Sequence, residues 1–371
     1  MEKISCQVLV VGAGPGGYVA AIRAAQLGLD TVIVEGDKAG GTCLIRGCIP
    51  SKAIIHAAEK FESLKSHQEG HMGLKVDGEI SVEMSALIDW KNDIVEKLNK
   101  GVEGLLKGNG ARLVKGWAHF LDGKTCNVSD SDGNKVAHIT TENVILATGS
   151  KPIELPFMPF DEKHIISSTG ALDLEELPNK IAVIGGGYIG LELGCALRKL
   201  GVEITVIEGL ETVVSIFDDE LRRPLERWLK KNSVKVHTNC FAKGVEISND
   251  GVELSWTDGS GEEVSELFDK VLVTVGRKPN TNGWGIEEMG IKMDEAGRFV
   301  AVDTKCRTNM RGIYAIGDLI GEPMLAHKAS AQGEMVAEII AGHNRDFSPV
   351  AIPAIVFTEP EIITVGLNQE E

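Results

Sequence analysis

Two cysteines five residues apart, Cys43 and Cys48, stand in the segment Gly40-Gly-Thr-Cys-Leu-Ile-Arg-Gly-Cys-Ile-Pro-Ser-Lys52 and carry the strongest chemical signal in the chain. Five residues of regular helix advance about 7.5 Å along the axis, whereas a disulfide tolerates Cα separations of only about 4.4–6.8 Å. A bond between the two therefore needs irregular backbone, and Gly47, directly before Cys48, supplies that freedom. A pair at a helix start would also have its thiolate stabilised. This position favours a redox disulfide. Two buried free thiols and half a zinc site are the alternatives, although zinc prefers Cys-x-x-Cys with further ligands and the nearest histidine, His56, lies eight residues past Cys48. By spacing alone Lys52 has a second reading as a surface lysine, Glu192 as a helix-surface carboxylate and Asp318 as a turn former. A polar residue ending a buried strand more often touches a ligand.

The second signal is a repeat. Val8-Leu-Val-Val-Gly12-Ala-Gly14-Pro-Gly-Gly17 returns 173 residues later as Ile181-Ala-Val-Ile-Gly185-Gly-Gly187-Tyr-Ile-Gly190, and Val32-Ile-Val-Glu35 returns as Val206-Ile-Glu208. Each copy predicts a strand, a glycine turn, an Ala/Leu-rich helix and a second strand ending in glutamate. In such a unit the glycines allow a tight turn, close approach of backbone to a pyrophosphate, and helix–strand packing. The helix start then offers free N–H groups to the phosphates. Glu35 and Glu208 are placed to accept ribose hydroxyls. An acid at Glu208 bonds a 2′-hydroxyl and repels a 2′-phosphate, which favours NAD over NADP.

These residues must be held by a larger frame. Met84 to Lys107 has apolar residues at helical spacing and predicts an amphipathic helix. Residues 62–83 are polar and rich in Gly and His, and read as a loop. Val144-Ile-Leu-Ala-Thr-Gly149 predicts a buried strand running into a glycine turn, and Pro152, Pro156 and Pro159 mark a connection after it. Val271 to Gly276 and Gly312 to Asp318 repeat the strand-and-turn pattern, and a helix is expected around Ala329 to Ile340. A new strand pattern starts at Pro349. The expected domains are 1–150 for one dinucleotide, 151–276 for the other, 277–348 returning to the first, and 349–371 opening a further domain.

Composition excludes several classes of function. Thirty-eight Lys+Arg against 54 Asp+Glu leave a net charge of −16, which argues against nucleic acid as a partner because phosphate counterions must be replaced by clustered cations. No apolar run reaches the roughly 18 residues of a membrane span. Seven cysteines, five of them scattered and two close together, and no leader-like segment place the chain in a reducing compartment, the cytoplasm. Forty-three glycines and 5% aromatic residues fit an α/β enzyme whose backbone approaches its ligands closely.

Taken together, GGTCxxxGCIPSK, ATG, GGGYIGLE, VGRKPN and GIYAIGDL…PMLAHKA resemble the dihydrolipoamide dehydrogenases, flavoproteins of the 2-oxoacid dehydrogenase complexes within the pyridine nucleotide-disulfide oxidoreductases. The resemblance covers essentially the whole chain. Ile49-Pro-Ser-Lys52 and Glu208 fit these enzymes better than glutathione reductases, while mercuric reductases are also similar. What it implies is an α/β fold with two Rossmann-like domains of the glutathione-reductase type plus the start of an α+β interface domain. FAD would be held by Gly12, Gly14, Gly17, Glu35, Gly41, Thr42, Lys52, Gly116, Thr148, Gly149 and Asp318, with Met324, Leu325, Ala326 and His327 near its ring. NAD would lie on Gly185, Gly187, Gly190, Glu208 and Gly276. Cys43 would be the interchange thiol and Cys48 the flavin-facing one, with Lys52 paired to Glu192 and Tyr188 covering the ring. The implied partners are a lipoyl domain of a complex's acyltransferase, NAD⁺/NADH and a second copy of the chain. No metal is implied.

Two departures from the family pattern carry expectations of their own. Ile45 stands where the family usually has Asn, which implies a lost local hydrogen bond and a shifted potential. The family's catalytic base, a His in a His-x-x-x-x-Glu context, is matched by none of the nine histidines; Ile352 to Glu361 resembles only the first strand of the interface domain that carries it.

Overall fold

The computed structural model describes residues 1–369, which form two compact units. The first comprises Met1–Cys48, Val95–Lys151 and Lys278–Val350; the second comprises Ile49–Ile94, Pro152–Arg277 and the chain from Ala351 onward.

In the first unit a parallel sheet is built from Arg112–Lys115, Thr31–Glu35, Glu2–Val11 and Lys135–Leu146 in that spatial order, with Ile313–Ala315 also pairing to the last of these. Val8 pairs with Thr31 and Val11 with Val34, so both strands end together at the glycine turn. The antiparallel strands Thr125–Ser129 and Trp117–Phe120 extend the far edge. Val, Ile and Leu fill these strands because β-branched side chains pack well on a pleated surface. Leu9, Val144, Leu146 and Phe120 are fully buried, and Trp284 meets Phe120 edge-on at 6.5 Å. Each such aliphatic side chain contributes about 1.5–3 kcal/mol on burial.

The helix Pro15–Gln26 buries only Gly16, Gly17, Ala20, Ala21 and Ala24. Small residues here let the helix Ala326–Ile340 come close: a Cβ on Gly16 would lie 3.0 Å from the Ala329 carbonyl oxygen. Pro15 at the first helical position has no N–H to leave unsatisfied.

The second unit repeats the pattern. Lys235–His237, Glu203–Ile207, Lys180–Ile184, Lys270–Val273 and Ile165–Ile166 form a parallel sheet in that order. A three-stranded antiparallel sheet, Phe241–Ser248, Gly251–Thr257 and Glu263–Phe268, packs through Val252, Leu254 and Trp256 onto Ile184, Val271 and Val273. The final strands Ala354–Val356 and Ile362–Thr364 form a hairpin whose Val356 and Ile362 join the core with Leu191, Ala196 and Leu197.

One expectation is corrected. Residues 62–83 do not begin as a loop: the helix that starts at Cys48 continues to Gln68, anchored by buried Ile54, Ile55, Ala58 and Phe61. Its last turns are polar because they are exposed, so composition there reflected solvation and not loss of helix. The helix predicted from Met84 is found at Met84–Gly108. Among the described residues no helix is long and apolar enough to cross a membrane.

Candidate active site

In the first unit the glycine turn is held by steric necessity at two of its three positions. Gly12 has φ of +96°, and a Cβ there would run into the Ala147 carbonyl; a Cβ on Gly17 would overlap the Gly12 carbonyl oxygen. Gly14 is different. It caps the helix in extended conformation (φ −71°, ψ −178°), and a Cβ there would meet nothing closer than the Gly41 Cα at 3.9 Å. Protein packing does not demand glycine at this position, so the space in front of it fits a ligand's approach to the backbone.

Glu35 ends its strand beside this turn. One carboxylate oxygen accepts the Ala13 N–H at 2.7 Å and the other accepts the Asp37 N–H at 2.9 Å. Burial pushes the Glu35 carboxyl above its usual range, with the Ala13 N–H and Arg46 acting in the opposite direction. The Gly116 N–H donates to the Glu35 carbonyl at 2.8 Å. Gly41, at φ of +59°, packs its missing side chain against Gly14, since a Cβ would lie 2.5 Å from the Gly14 Cα. Thr148 and Asn280 form a reciprocal pair: the Thr148 hydroxyl donates to the Asn280 carbonyl, and the Asn280 amide donates to the Thr148 carbonyl, both at 2.9 Å. Gly149 accepts the Asn280 N–H. Asp318 accepts a hydrogen bond from the Ser150 hydroxyl.

Met324 and Leu325 lead into the helix Ala326–Ile340, which Ala326 and His327 open. This loop is fixed by Lys328, whose buried ammonium donates to the carbonyls of Gly321 at 2.6 Å and Pro323 at 3.1 Å. Burial lowers the affinity of Lys328 for its proton, while Asp318 and Glu322 oppose that shift. Gln332, also buried, accepts the Gly317 N–H at 2.8 Å. Nothing in the sequence singles out Lys328, Gln332, Ser150 or Asn280. Lys328 and Asn280 sit inside recognisable motifs, but nothing in their spacing says that they bind backbone.

Cys43 and Cys48 are joined as a disulfide, with Cα atoms 4.6 Å apart. The short helix Gly41–Arg46 stops at Gly47 (φ −144°, ψ −108°), and a new helix, Cys48–Gln68, begins at the second cysteine. The break expected from the spacing is therefore present, and the bonded pair leaves no thiolates for zinc. A Cβ on Gly47 would meet the Thr42 carbonyl oxygen at 2.9 Å, so the turn itself requires glycine. Cys48 is exposed and Cys43 half-buried.

The second unit carries the same turn. Gly185 has φ of +98°, and its Cβ would lie 2.6 Å from the Thr274 carbonyl oxygen. Gly190 would collide with Gly185 and Thr274, yet Gly187, again the helix cap, has nothing within 4 Å. Glu208 accepts the Gly186 N–H at 2.5 Å and the Leu210 N–H at 2.7 Å, matching Glu35 bond for bond. Gly276, at φ of +110°, accepts the Ile153 N–H. Tyr188, the first residue of the helix Tyr188–Lys199, remains 36% exposed.

Lys52 and Glu192 are brought together in this unit, Nζ to Oε2 at 2.8 Å. Glu192 is buried, and its other oxygen accepts the Phe357 N–H at 3.0 Å. Phe357 also places its ring 4.2 Å from the Lys52 ammonium. Replacing Lys52 by Met leaves the Glu192 carboxylate buried with half its partners, which should cost about 1–3 kcal/mol given that Lys52 is part-exposed. The expected result is a lower melting midpoint that Glu192→Gln in the same variant restores.

The chain matches the family model described as Pyridine nucleotide-disulphide oxidoreductase over residues 6–333. It is 49% identical over 371 residues to a dihydrolipoyl dehydrogenase of Pseudomonas aeruginosa, covering 100% of this chain and 78% of the relative. To the dihydrolipoyl dehydrogenase of Geobacillus stearothermophilus it is 48% identical over 368 residues, covering 99% and 77%. The crystal structure of LpdA from Mycobacterium tuberculosis matches with a TM-score of 0.89 at 27% identity, covering all of this chain and 79% of that one. With a disulfide beside one glycine turn, a second such turn and a match across most of its length, the chain belongs to the pyridine nucleotide-disulphide oxidoreductase family.

Proposed function

We propose that the protein oxidises dihydrolipoamide to lipoamide and reduces NAD⁺, with the Cys43–Cys48 disulfide as the group the substrate attacks. The observation that carries this reading is the disulfide itself, set at the start of the helix Cys48–Gln68 in a chain 49% identical to a dihydrolipoyl dehydrogenase. The substrate dithiol gives its protons to solvent, since none of the nine histidines matches the family's base; its thiolate attacks the Cys43 sulfur, the Cys43–Cys48 bond breaks, and Cys48 leaves as a thiolate. Its place as first helical residue stabilises that leaving group through the free N–H groups of the first turn. The second substrate thiolate then attacks the sulfur joined to Cys43, closing the lipoamide disulfide and leaving the enzyme with two reduced sulfurs.

On this reading FAD would be held by Gly12, Gly14, Gly17, Glu35, Gly41, Thr42, Lys52, Gly116, Thr148, Gly149, Asp318 and the 324–327 loop, and NAD by Gly185, Gly187, Gly190, Glu208 and Gly276. When bound, FAD would supply a redox group able to take an electron pair from the dithiol and give it up to NAD⁺. Lys52, oriented by Glu192 and Phe357, would supply positive charge to a bound flavin, and Tyr188 would cover its ring until NAD arrives. Glu208, already fixed by two N–H donors, favours a ribose with a free 2′-hydroxyl. We assign the lipoyl substrate to the acyltransferase of a 2-oxoacid dehydrogenase complex, the working assembly to a homodimer and the site of action to the cytoplasm, where the five remaining buried cysteines stay reduced.

The test is turnover of the FAD-reconstituted protein with dihydrolipoamide and NAD⁺. NADH formation that fails with NADP⁺ is expected. If NADH reduces artificial dyes but lipoyl compounds do not turn over, the protein is a diaphorase module; if NADH oxidation requires Hg²⁺, it is a mercuric reductase. Either outcome overturns the proposal.

A further inference from the structure

We propose that Trp117 and Phe241 are equivalent platforms on which the adenines of the two dinucleotides stack, one in each unit; this rests on the cofactor assignments above. After each ribose-binding acid the chain is met by a returning strand in the same way. The Gly116 N–H donates to the Glu35 carbonyl at 2.8 Å, and the Cys240 N–H donates to the Glu208 carbonyl at 2.9 Å. In both units the next residue is a large aromatic, Trp117 or Phe241. Both rings are mostly in solvent, at 61% and 59% exposure.

Each ring also lies on the glycine that follows the acid. A Cβ on Gly36 would sit 2.5–2.8 Å from three atoms of the Trp117 indole, and one on Gly209 would sit 3.0 Å from Phe241 Cε1. Neither glycine has positive φ. Backbone geometry thus does not require glycine at these positions, and a side chain there would push the ring off its seat. Carboxylate, glycine and ring form one continuous surface twice over, with the acid's two oxygens oriented by N–H donors before and after it. A ribose bound at either carboxylate has its base directed along this surface, and an exposed ring beside a purine is a stacking partner. The repeat in sequence does not reveal this. The acids are 173 residues apart but the rings are 124 apart, so only the fold brings them into correspondence.

Truncating an aromatic that stacks on a base weakens binding by about 5- to 150-fold, and half-solvated rings belong near the lower end. Flavin affinity of the apoprotein should be measured with FAD and with FMN, which lacks the adenosine half. Trp117→Ala is expected to weaken FAD about ten-fold and to leave FMN unchanged, and Trp117→Phe to retain most of the FAD affinity. For the second unit, Phe241→Ala should weaken NADH about ten-fold but not reduced nicotinamide mononucleotide, with Phe241→Tyr restoring NADH binding. An unchanged melting midpoint shows that each variant is folded. Equal loss for the full and the truncated cofactor, or no loss for either, overturns the platforms alone. Failure of the wild-type chain to bind FAD or NADH overturns the cofactor assignments with them.

Discussion

Serine at position 43 or 48 should lower dihydrolipoamide oxidation by about a thousand-fold or more, because each substitution removes one end of the only exchangeable bond. Flavin binding should survive, since neither sulfur belongs to the glycine cradle and serine keeps the size of the side chain. No other thiol among the described residues can substitute. The five free cysteines are buried, and burial pushes Cys126, Cys195 and Cys306 up to about 12. Cys6 and Cys240 are raised by the same cause. A thiol with a raised pKa stays protonated at neutral pH and is a poor nucleophile. The two variants should nevertheless differ. Cys43→Ser leaves a thiol at the first residue of a long helix, whereas Cys48→Ser leaves one inside the short helix Gly41–Arg46. The remaining thiol should therefore alkylate at lower pH in the first variant. Turnover above a tenth of wild type in either variant would show that the substrate is oxidised elsewhere.

Much of this site is legible in the sequence, and the legible parts differ in kind from the rest. Glycine motifs, the ribose acids and the cysteine pair are legible because each depends on residues close in sequence, where spacing fixes geometry. The partner of Lys52 lies 140 residues away and Phe357 far beyond that. No local pattern announces them; Glu192 alone looks like any carboxylate on a helix. Lys328 and Gln332 are hidden differently. They act on backbone carbonyl and N–H groups, which every residue has, so their targets leave no trace in residue type. The misplaced loop at 62–83 has a third cause. A helix projecting into solvent needs no apolar face, and periodicity then falls silent although the hydrogen bonds continue to Gln68.

The glycines of the second turn make the sharpest separation between folding and binding. Gly190→Val drives a side chain into the Gly185 carbonyl, Thr274 Oγ1 at 2.5 Å and Val183 Cγ1 at 2.9 Å. Overpacking of this kind costs about 1–3 kcal/mol or more, so the melting midpoint should fall and cofactor affinity should fall only as a consequence. Gly187→Val meets no protein atom within 4 Å, and its backbone (φ −74°, ψ 179°) is extended and open to any residue. Stability should therefore change little beyond the poorer capping of valine, about 1 kcal/mol. Binding is another matter. A branched side chain there stands between the helix N-terminus and a pyrophosphate, and charge-assisted hydrogen bonds of about 1.5–3 kcal/mol each are lost together. Two such bonds correspond to a loss in NADH affinity of about a hundred-fold or more. Calorimetric melting and NADH titration of the two variants should thus rank in opposite order. If Gly187→Val binds NADH normally, the space before the helix does not hold a phosphate, and the assignment of this unit to NAD falls with it.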